Sequence, residues 1–324
     1  MPEYDYIIVG GGSAGCVLAA RLSEDPQTRV LLIESGARDA DRYIHIPATF
    51  FKVLEKGRDA LFYASQPEQG LNGRPSIVPQ GHVIGGGSSV NAMVYMRGQR
   101  EDYDNWDALL GGGAGWSYAE VLPHFRAMER NTKINDEYHG VDGPLWVSDP
   151  LRIDALSEAF MLAMQGLGVR YNADFNGARQ AGVGPMPHTI GRARPSHAVG
   201  AFLSQVRGDR RMTLMTRATA SRVLVENGHA VGVEYIKGGG VGRAYADVEV
   251  LVAAGTYNTA KLLMLSGLGP ADHLGAQGVS VVLDLPGVGQ NLQGHHEVPV
   301  ISSVHGSGGY FGQDRGWRMV RNGL

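Results

Sequence analysis

Three glycines and one carboxylate carry the clearest chemistry in this sequence. Gly10, Gly12 and Gly15 form a GxGxxG run directly after the apolar stretch at residues 6–9. Residues 13–23 follow with Val17, Leu18 and Leu22 at helical spacing, and a second apolar stretch, residues 29–33, ends on Glu34. A dinucleotide needs this layout. A tight turn leaves the strand, side-chain-free backbone approaches the pyrophosphate, and the helix N-terminus, at Ser13 and Ala14, offers free N–H groups and a positive dipole. Glu34 lies about 20 residues past Gly15, where a carboxylate accepts from the adenosine ribose hydroxyls, with Ser35 beside it. A carboxylate there repels a 2′-phosphate, so Arg38 reads as a solvated loop charge. Cys16 stands where the helix dipole could lower a thiol pKa. With no second cysteine or obvious base at hand, it reads instead as a small residue packed under the dinucleotide.

These groups need a scaffold, and its elements can be followed along the chain. Residues 37–80, punctuated by Pro47, Pro67, Pro75 and Pro79, read as loop with little regular structure. Ser117 and Glu120 make a capping box for a helix reaching Met128. Ile153, Leu156, Phe160, Met164 and Leu167 mark one face of another helix, whose methionines read as core. Residues 212–215, 222–226, 231–236 and 247–253 read as strands, with turns at Asn227-Gly228 and at residues 237–242. Such a meander, returning to a strand that ends at Ala254-Gly255, supplies the second half of a nucleotide-binding sheet.

Composition narrows the function classes. The 47 glycines among 324 residues have no three-residue period, which excludes collagen, and 43% hydrophobic content with 19% charged residues is globular. A net charge of −3, with 29 basic against 32 acidic residues, provides no footprint for nucleic acid. One cysteine makes neither an intramolecular disulfide nor a thiolate metal cage, so no metal is expected and a reducing, cytoplasmic compartment fits. The opening residues carry no basic segment of a signal peptide, and no apolar run has transmembrane length.

The second glycine cluster is more specific. Residues 81–91, GHVIGGGSSVN, are a small-residue loop entering a helix, able to bring backbone N–H groups against a flat, electron-rich ligand. With Ala92, Met93, Val94, Tyr95, Arg97 and Gly98 they resemble the first signature of the glucose-methanol-choline (GMC) oxidoreductases, flavoenzymes that oxidise alcohols with FAD. Gly85, Gly86, Ser88, Asn91, Tyr95 and Gly98 fall in register. The DFNG stretch at residues 174–177, with Gln180, Gly182 and Gly184, is similar to a segment of the family's substrate domain. Residues 255–269 resemble its second signature and residues 286–292 the segment after it.

The resemblance implies an α/β chain of two domains. A Rossmann-like FAD-binding domain with a β-meander takes residues 1–50, 80–148 and 205–292, and residues 51–79 form a loop or lid. Residues 149–204 and 293–324 form part of a substrate domain of antiparallel sheet and helices. It further implies that the pyrophosphate lies over residues 10–15, that Glu34 holds the ribose, and that the backbone at Val223 meets the adenine. The loop from Val83 and Gly85 to Met93 and Val94 faces the isoalloxazine, with Asn91, Ala92 and Met93 at the pyrimidine edge. Their N–H groups stabilise the charge at N1 and O2 as hydride reaches N5 and a histidine takes the alcohol proton.

Departures from the family pattern carry their own expectations. His82 replaces a usual Arg or Lys and reads as a structural histidine bonded to the loop. Ala260 replaces a proline at the helix start, and Gly294 an aspartate before His295. Val90 stands where some members carry the histidine that bonds covalently to flavin, so FAD is expected to be non-covalent. The catalytic histidine and its His or Asn partner are expected beyond Leu324, because none of the histidines here matches their segment. His295 and His296, adjacent and so pointing to opposite faces, read as surface loop or cavity mouth. The helix-like piece at residues 317–320 has no closing element after it, which reads as a fragment or as half of an enzyme completed by a second polypeptide. The expected activity is oxidation of a small-molecule alcohol of choline, sorbose or aryl-alcohol type, with oxygen or a quinone as acceptor. The alternative is a redox-inactive FAD-binding fragment or a lyase of the same family.

Overall fold

The computed structural model describes residues 3–206, 208–295, 298–303, 305 and 317. Of the expected helix-like piece at residues 317–320 and the His295-His296 pair, only Trp317 and His295 are among them. Two compact units divide the chain: Met1–Ile44, Thr49–Asn91 and His197–Glu297 form the first, and His45–Ala48, Ala92–Ser196 and Val298–Leu324 the second.

The first unit begins with β1 (Tyr4–Val9), α1 (Ser13–Leu22) and β2 (Val30–Glu34), within a residue or two of the sequence reading. It continues through α2 (Phe50–Lys56) and a hairpin of β3 (Ala60–Ala64) and β4 (Ile77–Gly81). The expectation of loop at residues 37–80 is therefore corrected. Pro79 sits opposite Phe62 in this two-stranded ribbon, and such an edge position dispenses with the N–H that proline lacks. Expected helix at the end of the second glycine cluster is also absent; a single 3₁₀ turn, Gly86–Ser89, stands there.

The chain then builds the second unit: α3 (Arg100–Leu109), α4 (Tyr118–Met128), β5 (Glu129–Asn131), β6 (Leu145–Val147), α5 (Ala155–Gly166), and the two-residue strands β7 (Ile190–Gly191) and β8 (Arg194–Pro195). The capping box of Ser117 and Glu120 is formed as the sequence indicates. Gln99 and Asp102 form another at the start of α3. None of the α5 residues is buried, so the apolar face read there as core is not covered within the described residues.

Back in the first unit follow α6 (Ser204–Val206), β9 (Met212–Thr216), β10 (Ala218–Glu226), β11 (His229–Lys237), β12 (Gly240–Val252), α7 (Gly255–Leu265), β13 (Leu268–Gly269), α8 (Ala271–Ala276) and β14 (Leu283–Asp284). The turn expected at residues 237–242 shrinks to Gly238-Gly239, because Lys237 already pairs with Gly240. Ala260 lies in the second turn of α7, where a proline-specific starting role does not arise.

One six-stranded sheet organises this unit in the order β10-β11-β12-β1-β2-β9. Strands β12, β1, β2 and β9 run parallel, whereas β10, β11 and the first half of β12 form an antiparallel meander. The 13 residues of β12 serve both, pairing with β11 up to Tyr245 and with β1 from Ala246. Parallel strands covered on both faces read as continuous apolar runs, and Ile7, Ile8, Leu31 and Leu32 are fully buried.

The register brings Val9, Ile33 and Val252 to one edge, at the carboxyl ends of the parallel strands. There the chain leaves β1 through Gly10, whose φ of +101° suits glycine. A Cβ on Gly10 would overlap the Ala253 carbonyl, and one on Gly15 would overlap the Gly10 carbonyl, so α1 packs against its own incoming strand without a side chain between. Gly15→Ala is therefore expected to cost about 2–3 kcal/mol in urea unfolding. Gly200→Ala, where a Cβ meets nothing within 4 Å, is expected to be neutral or to stabilise by up to about 1 kcal/mol. Equal midpoints for the two variants would contradict this account of the turn.

Candidate functional site

A cavity of about 1000 Å³ opens at that carboxyl edge of the sheet. One wall is the turn itself: Gly10, Gly12, Ser13 and Ala14, with Glu34 and Ser35 from the end of β2. Helix α1 has Gly12 as its N-cap, so no side chain caps it, and it has no acidic residue in its first turn. Its opening N–H groups thus have no intrahelical acceptor, and they lie on the cavity wall with the positive end of the helix dipole.

Glu34 does more than line this wall. It is 7% exposed, and its Oε2 accepts the Gly11 N–H at 2.8 Å while Oε1 accepts the Gly36 N–H at 2.7 Å. The carboxylate thereby ties the glycine turn to the end of the neighbouring strand. Oε1 also accepts the Ser35 hydroxyl at 3.5 Å, whereas Oε2 keeps a further lone pair able to accept from a hydroxyl. Cys16 is buried beneath the turn and its Sγ donates to the Gly11 carbonyl at 3.3 Å. Burial pushes its thiol up to about 12, so the helix dipole loses to desolvation and the residue is a neutral packing group.

The second glycine cluster lies against the same turn. The Gly85 N–H donates to the Gly11 carbonyl at 2.7 Å, and the Ile84 N–H to the Ala37 carbonyl at 2.9 Å. Gly86, at φ +52°, approaches Gly12 so closely that a Cβ would stand 2.8 Å from the Gly12 Cα. Val83 is fully buried behind the loop. Ser88 closes the 3₁₀ turn onto the Gly85 carbonyl at 2.7 Å and accepts the Ala198 N–H at 3.0 Å. Asn91 is exposed at the end of the loop.

Of the residues singled out from sequence, Gly10, Gly12, Ser13, Ala14, Glu34, Ser35 and Gly86 share the cavity wall, while Gly15, Val83, Gly85 and Ser88 support it from behind. Val223 is not on the wall. Its side chain packs in the sheet core and its N–H donates to the Ser266 hydroxyl at 2.8 Å; the adjacent stretch of β10 at residues 218–221 faces the cavity instead. Ala92, Met93 and Val94 belong to the second unit. Met93 has a left-handed φ of +61°, uncommon for a residue with a long side chain, and its carbonyl accepts the Thr189 N–H at 2.7 Å.

Sequence reading missed the hairpin wall. Leu61 and Tyr63 of β3, with Gln80, Gly81 and His82, line the cavity opposite α7. The Tyr63 hydroxyl lies 3.1 and 3.0 Å from the amide oxygen and nitrogen of Asn258 on that helix. An alternating pattern interrupted by Pro79 concealed the strand. Val288 and Gly289, from the segment matched at residues 286–292, complete the wall.

The second unit holds a charge cluster that the sequence reading missed as a cluster, although Arg97 and Asp174 each lie in a stretch it quoted. Arg97 Nη2 donates to Glu129 Oε2 at 2.5 Å, His139 Nδ1 to Glu129 Oε1 at 2.9 Å, and His139 Nε2 to Asp174 Oδ2 at 3.1 Å. Glu129 is fully buried and His139 nearly so. Both ring nitrogens face carboxylates, an environment that favours the imidazolium, and the Asn131 amide nitrogen also lies 3.2 Å from Nδ1. Burial pulls the His139 pKa down, but the hydrogen bonds to Asp174 and Glu129 outweigh it and raise the value to about 9. Burial pushes the Asp174 carboxyl up, but the bond to His139, the Asn176 N–H and the charges of His139 and Arg97 together hold it below its ordinary value. The neighbouring Asn176 and Gln180 grip the chain before α3: Asn176 Oδ1 accepts the Arg97 N–H at 2.8 Å, and Gln180 Nε2 donates to the Arg97 carbonyl at 2.7 Å.

Comparison with known proteins places this geometry in a family. Residues 4–297 match the family model described as GMC oxidoreductase. The chain belongs to the GMC oxidoreductase family. It is 44% identical over 295 residues to the oxygen-dependent choline dehydrogenase of Sinorhizobium fredii, covering 91% of this chain and 53% of that protein. It is 44% identical over 303 residues to human mitochondrial choline dehydrogenase, covering 91% and 51%. Among solved structures, pyridoxine 4-oxidase from Mesorbium loti superposes with a TM-score of 0.84 at 36% identity, covering 88% of this chain and 56% of that one. A fungal aryl-alcohol oxidase follows at 0.78 and 28%, covering 89% and 52%. This GMC chain spans about half the length of the curated relatives it matches.

The His139 pKa fixes the sign of a pH effect. A group whose folded value is raised from 6.5 to about 9 stabilises fully below about pH 6.5 and loses that contribution as pH rises through about 9. Urea midpoints of the second unit should fall across this window, and His139→Gln should flatten the fall. A His139 ring that titrates near 6.5 by NMR would refute the assignment.

Proposed function

We propose that this chain is the FAD-binding half of an alcohol-oxidising GMC enzyme of choline dehydrogenase type. One observation carries the reading: the uncapped N-terminus of α1, the side-chain-free turn before it and the Glu34 carboxylate all face one cavity. The fit can be tested on this chain's own atoms. Where a pyrophosphate requires backbone contact, Gly12 leaves the wall open, a Cβ there meeting only Gly86 Cα at 3.9 Å. The N–H groups of α1's first turn would hold the pyrophosphate, Glu34 the ribose, and residues 218–221 the adenine side.

Bound in this way, FAD would supply a two-electron acceptor for hydride from an alcohol carbon. The chain's part is to bind and orient. Backbone of the Gly86–Ser89 turn stands at the Gly12 edge of the cavity, and the β3–β4 hairpin shields it from water on the other side. Val90, at the position of the covalent histidine in some members, supports non-covalent binding. The proton acceptor for the alcohol is assigned to the half of the family chain that has no counterpart here. Oxygen or a quinone accepts the electrons, and the one cysteine, buried, fits a cytoplasmic setting. No helix among the described residues is long and apolar enough to cross a membrane.

Purified chain reconstituted with FAD should bind it one to one and release it on acid precipitation. Gly12→Ala, which the apo backbone accommodates, should weaken FAD by at least about tenfold, or about 1.4 kcal/mol, in a fluorescence titration. Unchanged affinity would remove the α1 N-terminus from the site. Anaerobic bleaching of the flavin by choline or another primary alcohol, with the half of the S. fredii relative that this chain does not match added as a second polypeptide, supports oxidation. Persistent yellow colour there supports a redox-inactive FAD protein or a lyase.

A further inference from the structure

A cavity of about 220 Å³ lies within the second unit, between the start of α3 and the turn at residues 175–181. Buried Arg97 lines it with a guanidinium that is already committed: Nη1 to the Tyr138 carbonyl, Nη2 to Glu129 and Nε to the Tyr95 hydroxyl. Arg100 and Arg179 line it as well, and neither forms an ion pair with a carboxylate among the described residues. Glu101 is the acidic residue on the same wall.

These walls are fastened. The Arg100 guanidinium lies 4.9 Å from the centre of the Tyr118 ring, and Asn172 Nδ2 donates to the Arg179 carbonyl at 2.8 Å. The bond from Gln180 to the Arg97 carbonyl then ties the turn bearing Arg179 to the chain before α3. Tyr118 supplies a separate observation. It is 6% exposed and lines the cavity, yet its hydroxyl has no hydrogen-bond partner among the described residues. A phenol buried this far normally finds one. Burial raises its pKa in spite of the nearby Arg97 and Arg100 charges, so at neutral pH it is a protonated donor.

We propose that this cavity binds the phosphate group of a small molecule, held by Arg100, Arg179 and the Tyr118 hydroxyl. The donor set selects the ligand. Two guanidiniums and a hydroxyl converging on one space match an anion with more acceptor oxygens than a carboxylate has. The volume, below the roughly 300 Å³ at which ordinary organic-ligand pockets begin, suits a compact ion. Glu101 offsets one of the two cations, and the Arg100 and Glu101 N–H groups, left without intrahelical acceptors in the first turn of α3, add to the positive side. No residue is shared with the cavity of the first unit, so the proposal does not rest on the flavin reading.

Calorimetric titration of the full chain, saturated with FAD and at constant ionic strength, tests this with inorganic phosphate. One site is expected, with a Kd of about 1 mM or tighter. Arg100→Gln and Arg179→Gln should each weaken it at least about tenfold, and Tyr118→Phe about threefold or more. Substitution of the exposed Arg152 by Gln should leave it unchanged. Phenylglyoxal modification of the unaltered chain, read by peptide mass spectrometry, covers a variant that does not fold. Phosphate should slow the reaction of Arg100 and Arg179 severalfold but not that of Arg152. Absence of saturable binding, a phosphate affinity that both arginine variants leave intact, acetate bound as tightly as phosphate, or no protection from phenylglyoxal would each overturn the proposal. Failure of the flavin reading would show separately, as lost FAD binding with the phosphate site intact.

Discussion

The first unit depends on one carboxylate spanning two amides. Glu34 accepts from Gly11 and Gly36, and so fixes the turn after β1 to the end of β2. A buried carboxylate without donors is costly, and here both oxygens have them. Because Gly11 is held, its carbonyl is fixed too, and it accepts both the Gly85 N–H and the Cys16 thiol. The glycine turn, the start of α1 and the second glycine loop are thus positioned from a single anchor. Glycine is required around it because three backbones converge where no side chain fits.

The second unit solves a similar problem with opposite means. Its Arg97, Glu129 and His139 are charges paired out of water, with the half-buried Asp174 at their edge, and burial alone would make the three unfavourable. They balance because two cations meet two anions, with Asn131 Nδ2 also donating to Glu129 at 3.0 Å. The cluster joins the end of α4, the residues before β6 and the turn at residues 174–177, none of which shares a long strand. In a unit with few backbone ladders, side-chain charge does the fastening that the sheet does in the first.

What the sequence revealed follows from how local each signal is. The turn from β1 to α1 and the strand ending in Glu34 lie within the first 34 residues, and their pattern is set by adjacent residues. Both capping interactions at α4 are three residues apart and equally legible. The β3–β4 hairpin was not, because Pro75 and Pro79 mimic a loop while the pairing they tolerate is made by partners up to 21 residues away. The charge cluster gave no local signal: Arg97 and Glu129 are 32 residues apart, and His139 and Asp174 are 35. Val223 stands where the resemblance places a backbone contact with the adenine. Its side chain lies in the core by strand alternation and its N–H is bonded to Ser266, a partner 43 residues away that no local pattern announces.

The two units differ in what they leave unfinished. The first encloses its cavity with its own strands, turn, hairpin and α7, so every residue that lines it belongs to this unit. The second has a fully paired charge cluster and yet a helix, α5, whose apolar stripe meets solvent. What each unit leaves exposed differs accordingly, with polar backbone at the glycine turn in one and apolar side chains on α5 in the other. A substitution on α5 leaves Gly12 and Glu34 where they are, and one at Gly12 leaves Phe160 exposed. The polar backbone of one unit and the exposed apolar side chains of the other can therefore be altered separately in this chain.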